Sequence, residues 1–330
     1  MTTYSIGNGV LSATISDYGA TLVDLRLDGW PHPLVLGFER EADYVEADHY
    51  AGAVIGRFAN RIAGGHAVID GESVMLPPNS GGHHLHGGQS GFSRQVWRLA
   101  SHGVDHLTLA WRSPDGHEGY PGNCDVTATY QILAPARLAL SFSAVSDAKT
   151  LINICHHPYF NFAGNGALDT HLLQIEADHV LPSGTDLVPT GERRPVAGTR
   201  YDFRQPHRLD AARPDPGFNN TYCLADHSRA APVRAAALRL EAGPAMELWT
   251  TQPGLHLYDG YKLADDLVGL EGRRYGPRQG LCLEAQGWPD SPNQPHFPSA
   301  IVGPGQTYAQ RTEYRFALDP MILPARHQSR

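Results

Sequence analysis

One carboxylate, Glu284, interrupts the apolar run Leu281-Cys282-Leu283-Glu284-Ala285-Gln286. Alternating apolar positions mark a strand, which would fix the acid on rigid backbone rather than on a loose loop. A second run, Ile152-Asn153-Ile154-Cys155-His156-His157-Pro158-Tyr159-Phe160, sets imidazoles in a similar context. In an extended chain His156 and His157 point to opposite faces, so at most one of them enters a given site. A carboxylate and an imidazole held this way can serve as proton acceptor and proton donor on opposite sides of one small molecule. Cys282 and Gln286 share the face of Glu284, and burial there would raise its proton affinity and make it a better base.

Two further segments carry polar chemistry. In Gly56-Arg57-Phe58-Ala59-Asn60-Arg61-Ile62-Ala63-Gly64-Gly65, two arginines stand four apart between glycines. The fixed donors of a guanidinium suit hydroxyl or carboxylate recognition, although a solvated or salt-bridged arginine is the commoner outcome. In His83-His84-Leu85-His86-Gly87-Gly88, His84 and His86 would share one face of a strand. Zinc usually takes three or four ligands with a supporting shell, and no standard zinc spacing is present, so the expectation is no metal. GxGxxG after a strand, HExxH, GxSxG and the phosphate-binding GxxxxGK loop are all missing, which favours cofactor-free chemistry.

The elements that must position these groups read as strands. The chain has 330 residues, 41% of them hydrophobic and 18% charged, enough for a large core and unlike a disordered segment. Glycine (35) and proline (25) are spread along the chain as frequent turns between short runs. Leu138, Leu140 and Phe142 alternate, as do Leu238 with Leu240 and Met246 with Leu248. Tyr308, Gln310, Thr312, Tyr314, Phe316 and Leu318 do so near the end. Helix is expected only as single turns, at 39–44 and 265–270. The segment 211–217 is the weakest candidate for a domain boundary and reads as a loop. The expectation is one all-β domain over 1–330, a large β-sandwich.

Net charge is −8, with no long run of one sign, so neither a nucleic-acid footprint nor a polybasic membrane patch is expected. The first residues lack a charged-then-apolar signal, and no stretch is apolar enough to span a bilayer, which points to the cytoplasm. Cys124, Cys155, Cys223 and Cys282 are far apart and form no CxxC, so buried reduced thiols are expected.

Taken together, the segments resemble the aldose 1-epimerase (galactose mutarotase) family over almost the whole chain. The resemblance rests on Asp17-Tyr18-Gly19-Ala20-Thr21-Leu22, on residues 52–62, on Leu85-His86-Gly87-Gly88, and on Gly119-Tyr120-Pro121-Gly122. It continues through His156-His157-Pro158-Tyr159-Phe160-Asn161-Phe162, Thr250-Thr251-Gln252-Pro253-Gly254, Leu283-Glu284-Ala285-Gln286 and Asn293-Gln294-Pro295. The family fold is a large antiparallel β-sandwich, the supersandwich, and its reaction interconverts the α and β anomers of a free aldose without a cofactor. By this resemblance Glu284 matches the general base that takes the anomeric hydroxyl proton. His157 matches the acid that protonates the ring oxygen, and an ionised Glu284 beside a protonated His157 is implied. His86 matches a second histidine near the reacting oxygens, and Arg61 an arginine that binds sugar hydroxyls. Asn219 lies where the family commonly has a sugar-contacting aspartate, and His156 and Pro158 stand where it often has asparagine and a small hydroxyl residue. The implied partner is a monosaccharide, and the chain is expected as a monomer or homodimer. A sugar-binding domain without activity and a sugar-phosphate 1-epimerase are the alternatives.

Overall fold

Where large apolar side chains alternate, the chain forms strands whose apolar face is buried. In Arg137–Ser146 the residues Leu138, Leu140, Phe142 and Ala144 all enter the main core. Each large side chain of this kind contributes about 1.5–3 kcal/mol by leaving water. The computed structural model describes residues 1–164, 166–209 and 217–318. The 211–217 loop expected from sequence therefore lies, except for Gly217, outside the described residues.

A nine-stranded antiparallel sheet forms one layer. Its order is His207–Arg208, His171–Ile175, Val233–Leu240, Ala245–Thr250, Thr307–Ala317, Arg137–Ser146, Cys124–Leu133, His106–Ser113 and Arg98–His102. The long strand near the C-terminus sits centrally, with Gln310, Thr312, Tyr314 and Phe316 buried on one face, as its alternation predicts; Leu318 falls just beyond it and is exposed. Against this layer packs a six-stranded antiparallel sheet. Its order is Tyr159–Phe160, Leu281–Gln286, Gly254–Tyr258, Asn219–Cys223, His179–Leu181 and Arg194–Pro195. Leu281, Leu283, Leu255 and Leu257 from the second sheet share one core with Leu138, Leu140, Tyr314 and Phe316 from the first. The all-β sandwich expected from the sequence is the fold observed.

Helix is scarce among the described residues. The 39–44 segment contributes a single turn, Ala42–Val45. The turn expected at 265–270 is not helical: Leu267–Val268 pairs with Arg274–Tyr275, and a short 3-10 turn, Leu270–Gly272, follows. Val268 is exposed while Leu270 is buried, so the local apolar pattern serves a small hairpin instead. All four cysteines are free and buried. No helix among the described residues is long and apolar enough to cross a membrane.

Candidate active site

The strand Leu281–Gln286 is buried along its whole length, because both of its faces are covered. Leu281, Leu283 and Ala285 join the main core. Period two then sends Cys282, Glu284 and Gln286 the other way. In register, Glu284 lies opposite His256 on Gly254–Tyr258, and His256 lies opposite Thr221 on Asn219–Cys223. Three neighbouring strands thus lay a row of polar groups on one face. Asn219 and Tyr258 form a second opposed pair beside it.

His157 arrives from another direction. Strand Cys155–His156 pairs with Val54–Ile55, and the next residue is clamped on both sides. The His157 amide donates to Ala53 O (3.0 Å), and its carbonyl accepts from Gly52 N (2.9 Å). Arg61 sits on Arg61–Ile62, paired with His84–Leu85, and the His86 amide donates to Asn60 O (3.0 Å). The loop after His86 must press against residues 56–57. A Cβ on Gly87 would lie 1.8 Å from Gly56 O, and its φ is +84°, so only glycine fits. Three residues at the site, Tyr50, Asn60 and His86, hold positive φ themselves (56°, 66° and 54°). Non-glycine residues in this region are uncommon, cost free energy, and cluster at functional sites.

These elements enclose a cleft of about 590 Å³ including its open mouth. Its walls carry Glu284, His157, His86, Arg61 and Asn219, the five residues singled out from the sequence. His157 Nε2 lies 3.5 Å from Glu284 Oε1. The two groups therefore stand side by side on one wall, not on opposite sides of a bound molecule. The rings of His86 and His157 are 5.6 Å apart, and Tyr50 contacts both, at 4.9 and 6.0 Å between centroids.

Burial sets the protonation states. Glu284 is 1% exposed, and loss of water pushes its carboxyl up to about 8, opposed by the Cys155 thiol and the Arg61 charge. Burial pushes His157 down to about 4. Desolvation thus disfavours both charges, so the ionised carboxylate beside an imidazolium expected from the sequence must be held against the cost of burial by the attraction between the two groups. His86 is held well below the ordinary histidine range by burial and by neighbouring His157 and Arg61. Its Nδ1 accepts from the Asn60 amide (3.2 Å), which places the proton of the neutral ring on Nε2.

The sequence motifs do not all converge here. Arg57, four residues before Arg61, is a structural clamp: its Nη1 donates to Pro121 O, Gly122 O and Thr150 Oγ1, and its Nη2 to Ser113 Oγ. His84 does not share a site with His86, because the strand ends at Leu85. Its two ring nitrogens bond Pro77 O and Tyr120 OH instead. His156 points to the main core, between Tyr314 OH (3.2 Å) and Gly52 O (3.1 Å). A different donor set does come together: ligand atoms of His157, Cys282 and Glu284 lie within 4.8 Å of one another, a combination suited in type to a thiophilic cation.

Sequence reading missed His256. Its Nδ1 contacts Thr221 Oγ1 (2.9 Å) and Asn60 Nδ2 (3.3 Å), and its Nε2 contacts Asn219 Oδ1 (3.0 Å). With the Asn60 amide donating to Nδ1, the neutral ring donates from Nε2 to Asn219, and burial pushes its pKa down to about 3. The available signal was an imidazole at an alternate position of the apolar run Leu255-His256-Leu257. Tyr50, Tyr258 and Lys262 also line the cleft and carried no motif, and Asn60 lay within the 56–65 segment without being singled out.

The family model for aldose 1-epimerase matches residues 2–315. The chain belongs to the aldose 1-epimerase family. It is 38% identical to a galactose mutarotase from Mus musculus over 328 residues, covering 96% of this chain and 94% of that one. It is 33% identical to an aldose 1-epimerase from Escherichia coli K12, covering 94% and 93%. Among solved structures, an aldose epimerase homologue from C. elegans superposes with a TM-score of 0.90 at 28% identity, covering 96% of this chain and 99% of the other. Family membership accounts for the fold and for the cleft on the outer face of the six-stranded sheet. The departures from the family pattern are local. His156 is satisfied in the core, whereas Asn219 stands on the cleft wall in contact with His256.

Proposed function

We propose that the cleft interconverts the α and β anomers of a free aldose, with Glu284 and His157 moving the protons. The observation that carries this reading is the 3.5 Å approach of His157 Nε2 to Glu284 Oε1 inside a cleft lined by hydroxyl-binding groups. Ring opening removes a proton from the anomeric hydroxyl and adds one to the ring oxygen. Both oxygens are bonded to one carbon, so an adjacent acid and base serve better than a distant pair. Transfer across the Nε2–Oε1 contact readies the carboxylate as base and His157 as acid. Arg61 and the Cys155 thiol favour that charge state and offset part of the burial cost. After opening, the pair still holds one proton, now on the carboxyl. Rotation about the bond from the aldehyde carbon to its neighbour and reclosure on the other face run the exchange backwards. Arg61 and neutral His86 donate to sugar oxygens, and Asn219 accepts or donates at a further hydroxyl.

Polarimetry with freshly dissolved α-anomers tests the activity, and the optical change should accelerate in proportion to enzyme concentration. Saturable binding without acceleration would make the protein a sugar binder. Preference for a phosphate ester in competition with the free sugar would make it a sugar-phosphate epimerase. The pH profile tests the pair. It holds one proton between about 4, where His157 takes up a second, and about 8, where Glu284 gives up the last. A bell-shaped kcat/KM with limbs near those values is expected.

Asn219 gives a third test. A carboxylate accepts a hydroxyl proton more strongly than an amide, by about 1 kcal/mol, so Asn219→Asp should lower KM roughly five- to tenfold for sugars that donate to it. The same change should raise the pKa of His256, visible by NMR of its ring protons. An unchanged KM across a panel of aldoses would remove Asn219 from the sugar contacts.

A further inference from the structure

The carboxyl of Glu284 has two oxygens and very different neighbours for each. Oε1 faces His157 Nε2. Oε2 accepts from the thiol of Cys155, at 3.3 Å, and this is the one hydrogen bond that reaches the carboxyl from a described residue. Cys155 and His157 are two residues apart on one short extended stretch, so they project to the same face while His156 projects to the other. One segment therefore brings a side chain to each carboxyl oxygen.

We propose that Cys155 is a positioning residue for the base, with its S–H fixing Oε2 so that Oε1 is held toward His157 and the sugar. This rests on the acid–base reading above.

The thiol is well placed for that task. Cys155 pairs with Ile55 across the strands and packs in a small apolar cluster with Ala53, Ile55 and Ala59. A thiol behaves there as a compact apolar group that still carries one weak donor. Burial and the neighbouring carboxylate push the thiol well above its ordinary range, so it stays S–H and donates. A weak donor orients the carboxylate without stabilising it so far that its proton affinity collapses, whereas several strong donors would make it a poor base. The other groups facing the carboxyl act differently. Arg61 supplies charge, His256 faces it from the neighbouring strand, and Cys282 shares its own strand. Tyr159 and Tyr314 remain neutral, their phenols pushed up by burial.

The test compares Cys155→Ala, Cys155→Ser and Glu284→Gln with the parent enzyme, after circular dichroism has shown each to be folded. Cys155→Ala removes the donor. Glu284 should then hold its proton more tightly, moving the alkaline limb of kcat/KM up by about 0.5–1 pH unit. With the carboxylate free to rotate, kcat should fall roughly tenfold while KM stays within about twofold. Cys155→Ser restores a donor at similar size. It should recover most of kcat and bring the alkaline limb back to the parent position or below it. The limb position does not depend on how much enzyme is folded, so partial misfolding cannot mimic the result. If both variants shift alike, packing and not the donor is responsible, and the proposal is overturned. It is overturned too if Cys155→Ala keeps the parent profile and kcat while Glu284→Gln is inactive. Full activity in Glu284→Gln would instead remove the base assignment on which it rests.

Discussion

Glu284→Gln lowers kcat by roughly 10²–10⁴-fold while KM changes little, because the amide keeps the shape and loses the proton-accepting oxygen. The same substitution raises stability at alkaline pH. The carboxyl sits at about 8 in the folded chain, against an ordinary 4.5. A raised folded value means that its contribution is fully present below about 4.5 and is lost as pH rises through about 8. The parent protein must then ionise a group with almost no contact with water, at a cost of a few kcal/mol. Melting of the two proteins at pH 5 and pH 9 should show the Gln variant gaining several degrees relative to the parent at the higher pH. Parent-like turnover in the variant would sink the assignment. A melting difference that does not vary with pH would show that the carboxyl is not raised above its ordinary range in the fold.

The second large effect is on stability alone. Arg57 is 2% exposed, its guanidinium is shared among the 113–122 loop and Thr150, and it lies 5.3 Å from the ring centroid of Tyr120. No carboxylate pairs with it among the described residues, so its charge is met by carbonyl and hydroxyl oxygens. Arg57→Met leaves those oxygens buried and unpaired, which costs about 3–5 kcal/mol. For a chain of this size the melting temperature should drop on the order of 10 °C. Arg61→Met should do the reverse, with near-parent melting and a raised KM. Equal melting temperatures for the two variants would contradict the division of labour between these arginines.

That pair shows what the sequence could and could not convey. Alternation of apolar side chains is a local property, so Arg137–Ser146, Thr307–Ala317 and Leu281–Gln286 were all legible as strands. The faces of His156 and His157 followed from the same period. Arg57 and Arg61 share one glycine-flanked segment, but which of them reaches the cleft depends on the 113–122 loop, more than fifty residues away. His84 and His86 looked equivalent until the chain turned to positive φ at His86 and broke the period. Resemblance, not spacing, singled out His86, Arg61 and Asn219. Resemblance did not reveal His256, whose role follows from strand register with Glu284. The charge state of the acid–base pair was also illegible, since it depends on how completely water is excluded.

The strand that bears Glu284 has hydrocarbon on one side and the cleft on the other. A slip of one residue would drive Leu283 into the sugar's place and drop the acid among leucines. Catalytic alignment and the sandwich itself are therefore one cooperative unit. On heating, turnover and tertiary structure should disappear along a single curve, and loss of activity becomes a gauge of global unfolding.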